Sequence, residues 1–105
     1  MRQAQTAEDY SSCLISTAQE LLNTASGLNA EAKRVLRSEN LYSLQDMRLL
    51  ASALRTRRLR IQAFTEVHVE QIHDLGFQGL LDHLYRQAGS LGTLLAITQN
   101  RLAEQ

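Results

Sequence analysis

The residues best equipped for chemistry cluster around three histidines. Glu70-Gln71-Ile72-His73 has the E-x-x-H spacing that puts a carboxylate and an imidazole on one helical face, as a dinuclear iron site requires. Such a site also needs a second E-x-x-H and two further glutamates, and the sequence supplies no matching set. His68 and His73 are five residues apart, which separates their faces and spoils a shared zinc site. The lone cysteine, Cys13, has acids rather than bases nearby in sequence, so it is expected to be a buried, unreactive thiol. Gly89-Ser90-Leu91-Gly92 lies inside a helical pattern and cannot form a phosphate-binding loop. No cofactor, metal or catalytic group is expected. The chain does not look like an enzyme.

A charged cluster is the sharper signal. Arg55, Arg57, Arg58 and Arg60, with Leu59 among them, form one run. Residues 33–60 hold eight basic and two acidic side chains, a balance of plus six, whereas residues 61–85 carry four acids and no Lys or Arg. The formal net charge of zero therefore hides a polarised molecule. Arginine gives planar, bidentate contacts, so the run is a candidate docking surface for an acidic protein surface or helix. Nucleic acid is the alternative partner, along phosphates, although no interleaved aromatics support it. A solvated helical face would look the same. A second candidate surface is the row Gly89, Thr93, Ala96 and Asn100, flanked by Ser90 and Gly92. Two glycines within a helix cost about 1 kcal/mol each, which suggests a need for close approach by another helix.

The elements that must carry these residues follow from apolar periodicity. Leu14, Ala18, Leu21, Ala25, Leu28, Ala32 and Val35 recur at spacings of four and three. Leu44, Met47, Ala51, Leu54, Ile61, Ile72 and Leu75 form a looser series, interrupted by Arg58, Thr65 and His68. Phe77, Leu81, Leu84, Ala88, Leu91, Leu95, Thr98 and Leu102 form the third. The chain has no proline. Each series is one stripe along a helix that needs a partner. Ile15, Leu22, Leu36, Leu59, Leu80, Leu94 and Ile97 widen these stripes, which suggests apolar surface left over for contacts.

The helices are expected at about residues 7–37, 43–75 and 78–103. Thr6 is placed to cap the first, Ser38 to Tyr42 to form a turn, and Ser43 with Asp46 to start the second. Gly27 weakens the first helix without shifting its register. Gly76 suits the left-handed residue that ends the second, with Phe77 packing back on Ile72. Short connections make neighbours antiparallel, which places Arg60 opposite Glu20. The expected fold is all-α: one domain, an up-down-up three-helix bundle forming a coiled-coil-like rod 40–50 Å long, at about 1.5 Å per residue.

In outline the length and periodicity resemble a spectrin-type repeat, but the chain lacks the tryptophan that would supply the aromatic anchor. His73-Asp74-Leu75-Gly76 faintly resembles histidine-phosphotransfer bundles, without the lysine-glycine pair that follows their histidine. No run is long and apolar enough to span a bilayer. The N-terminus lacks the apolar core of a secretory signal, and one cysteine allows no internal disulfide, which points to the cytoplasm or nucleus. The sequence favours a non-enzymatic helical adaptor or assembly subunit, as a homodimer or an obligate hetero-complex. The alternatives are a nucleic-acid-associated regulator and a small secretion or assembly chaperone.

Overall fold

The computed structural model describes residues 2–38 and 42–104, with side chains from residue 10 onward. It is an all-α bundle of three helices in up-down-up order: α1 (Arg2–Arg37), α2 (Leu44–Asp74) and α3 (Gln78–Ala103). Helix α1 starts earlier than its sequence suggests. Arg2 to Gln5 contain only good helix formers, so nothing stops the helix before Thr6, which lies inside it rather than at its cap. The 36 residues of α1 explain a rod of 60 × 18 × 17 Å, longer than expected. The radius of gyration, 16.8 Å, exceeds the roughly 13 Å of a compact domain this size.

The junctions follow from local chemistry. Ser43 caps α2 by accepting from the Asp46 amide, and the Asp46 carboxylate accepts from the Ser43 amide. The first turn lies partly at residues 39–41, outside the described residues. At the other end of α2, Gly76 adopts φ +83°. The amide of Phe77 then donates to Ile72 and that of Gly76 to His73, closing the paired bonds of a glycine-terminated helix. Phe77 itself stays exposed.

Helices α2 and α3 form the closest pair, and α1 packs least against α2. Ala18, Ala25 and Ala32 of α1 are fully buried, while Leu21 and Leu28 are only half-buried. Small side chains thus set the approach of α1. Leu54, Ile61, Ile72, Leu81, Leu84 and Leu91 fill the centre. The widening residues divide: Leu36 and Leu94 are buried, whereas Leu59 and Ile97 remain exposed.

The middle stripe is less defective than its sequence implies. Thr65 is buried, with its hydroxyl donating to the carbonyls of Ile61 and Gln62. Thr98 does the same to Leu94 at 2.8 Å. A hydroxyl satisfied by its own helix can sit in a core at little cost. Between α1 and α3, Asn29 Nδ2 donates to Ser90 Oγ in a part-buried polar link.

Candidate functional site

The arginine run does not form one patch. Residues 57 and 58 differ by about 100° around a helix, and the bundle places that difference across α2. Arg57 and Arg60 face α1, sharing a shallow depression with Glu20, Thr17, Leu21 and Thr24. The expected apposition of Arg60 and Glu20 is therefore present. Arg58 turns the other way, onto α3. Arg55 and Leu59 point outward between the two and stay exposed, Leu59 by 56%.

Arg58 meets the second candidate surface. Its guanidinium lies over Gly92, where an added Cβ would sit 3.2 Å from Arg58 Nε and 3.4 Å from Cζ. The glycine lets a planar cation lie along the helix backbone. Gly89, one turn earlier, is different. A Cβ there would meet nothing within 4 Å, so no contact inside the chain accounts for a glycine at that point.

The two glycines lie in a groove of about 1020 Å³ running between α2 and α3. Arg58, Gln62 and Glu66 line it from α2, and Tyr85, Gly89, Thr93 and Ala96 from α3. All four residues of the expected row, Gly89, Thr93, Ala96 and Asn100, are exposed. Asn100 does not reach the groove lining. The Thr93 hydroxyl donates to the Gly89 carbonyl at 3.1 Å, so it is satisfied within its own helix. Gln62, Glu66 and Tyr85 were not apparent as site residues in the sequence. Their signal is spacing: residues 58, 62, 66 and 69 recur every three or four positions, as do 85, 89, 92 and 96.

The histidine-bearing segment holds ordinary helix-surface chemistry. His68 packs on Phe64 with ring centroids 4.7 Å apart, and its Nδ1 lies 3.0 Å from Gln71 Oε1. Tyr10 donates to the same oxygen at 2.9 Å, tying α1 to α2. His73 Nδ1 lies 3.1 Å from Gln78 Oε1 across the Gly76 turn. Among the described residues, no three His, Cys, Asp or Glu side chains gather where they could hold one ion. Cys13 is exposed, not buried as its place beside the first stripe suggests. One step round the helix from Leu14 carries it off the face that α2 and α3 cover.

Among the described residues, no helix is long and apolar enough to cross a membrane. Comparison with protein-family models, with curated proteins and with solved structures finds no match to this chain.

Proposed function

We propose that this chain is a non-enzymatic helical interaction subunit, an adaptor or assembly component that docks another protein along the α2/α3 groove. The observation that carries this reading is Gly89: a helix-weakening residue with open space above it, in a groove where Gly92 already has an internal reason to be glycine. Gly27 and Gly79 also have open space around them, but Gly89 combines it with a place in the α2/α3 groove beside Arg58 and Glu66, where room above the backbone suits the approach of another helix. The groove sets a polar pair of opposite sign on α2, Arg58 and Glu66, opposite a row of small residues on α3 between Ala88 and Ala96, which suits a helix surface rather than a small ligand. The division of the arginines to either side of α2 supports a protein partner over nucleic acid, since a phosphate backbone calls for a continuous basic stripe.

The test is affinity capture with mass spectrometry on the wild-type chain and on Gly89→Leu and Arg58→Glu. The proposal expects both variants to lose the partner. Variants that keep the native helicity and still capture every wild-type partner would refute it.

A further inference from the structure

We infer that the protein seated on the α2/α3 groove is a second, antiparallel copy of this chain; the inference rests on the docking reading above and names its partner. The argument begins with charge along the rod. Residues 21–37 of α1 and 44–60 of α2 share one end, because α1 and α2 are antiparallel and Glu31 faces Ala53. That end carries Lys33, Arg34, Arg37, Arg101 and the five arginines of α2 against Glu31, Asp46 and Glu104. The other end carries Glu66, Glu70, Asp74 and Asp82 against Arg86. Two copies side by side in parallel would stack like charge on like. Antiparallel copies place the basic half of each on the acidic half of the other.

The groove has the symmetry this arrangement needs. The contact of Arg58 with Gly92 fixes the register of α2 against α3, and that register sets Gly89 level with Ile61 and Gln62. Gln62 lies close to the midpoint of α2 and to the point where the charge changes sign. Arg58 and Glu66 stand four residues to either side of it, about 6 Å each way. A two-fold axis in the groove between Gln62 and Gly89 then brings Arg58 of each copy, which reaches over α3 to Gly92, to Glu66 of the other, twice. It also lays α2 of each copy along α3 of the other, with Gln62 above the other copy's Gly89, where the missing Cβ leaves room for it. An isologous contact requires such self-complementarity. With the axis near mid-rod, the copies overlap along most of the 60 × 18 Å face.

Mass in solution, by sedimentation equilibrium, decides it. The wild-type chain is expected at twice 11.8 kDa. Arg58→Glu and Glu66→Arg should each weaken self-association by at least about tenfold, because each sets two like-charge contacts. Mixing these two variants should restore the dimeric mass, since every contact is then of opposite sign. Gly89→Leu should leave helicity unchanged, having open space in the single chain, and yield a monomer. A wild-type monomer, a Gly89→Leu dimer or a mixture that stays monomeric would overturn the inference. If the wild-type chain is monomeric but Gly89→Leu loses a captured protein, the second copy is overturned while the docking reading stands.

Discussion

Gly92→Ala isolates the contact on which the groove is built. An exposed helix-interior glycine replaced by alanine normally gains about 1 kcal/mol. Gly27 is the reference, because it lies within α1, away from the groove, with nothing within 4 Å of a built Cβ. Gly27→Ala is therefore expected to stabilise by about 1 kcal/mol, a rise of roughly 4–8 °C in Tm. At Gly92 the same gain is opposed, since the new methyl would sit 3.2 Å from Arg58 Nε. The flexible arginine must shift by a few tenths of an ångström and lose its seat on the helix. Gly92→Ala should thus give a net change near zero. In an Arg58→Ala background the obstacle is gone, and Gly92→Ala should recover the full gain. The coupling is about 0.5–1 kcal/mol, within the range for residues in contact. Urea unfolding of the four chains of this cycle, repeated at higher dilution to remove any effect of association, measures it. A Gly92→Ala gain equal to that of Gly27→Ala in the wild-type background would refute the contact.

Three further substitutions test the frame that holds the groove. Gly76→Ala places a Cβ on a residue at φ +83° and should cost about 1–2 kcal/mol in urea unfolding. Ser43→Ala removes the capping box of α2 and should cost about 1 kcal/mol, with amide exchange accelerated in the first turn of that helix. Asn29→Ala breaks the link to Ser90 and should cost about 1–2 kcal/mol, with faster amide exchange in α1 than in α2 or α3.

Much of this frame is legible in the residues. Ser43 and Asp46 announce the start of α2, and Gly76 announces its end, because each local motif satisfies orphan backbone groups by itself. The start of α1 is not legible: Arg2 to Gln5 carry no stop signal, so a helix can run through the apparent cap at Thr6. Thr65 reads as a fault in the stripe because its type is polar, and only the bond to Ile61 shows how it enters the core. The groove is half legible. Arg58 and Gly92 lie almost equally far from Gly76 along the chain, so a tight antiparallel turn brings them level. The separation of Arg57 from Arg58 depends on which side of the α2–α3 pair α1 occupies. That choice is made by the packing of Ala18, Ala25 and Ala32, and no local motif records it.

The central claim is that the α2/α3 groove joins two antiparallel copies about an axis between Gln62 and Gly89, and cross-linking at those residues tests it most directly. Cys13 is the chain's sole cysteine, so Cys13→Ser gives a background without thiols. In that background, a mixture of Gln62→Cys and Gly89→Cys chains should oxidise rapidly to a covalent dimer, because the axis sets residue 62 of one copy over residue 89 of the other. Leu49→Cys, at a 59% exposed residue of α2 outside the groove, should form no covalent dimer under the same conditions. Equal cross-linking from Leu49→Cys and from the mixture, or none from the mixture, would contradict the account.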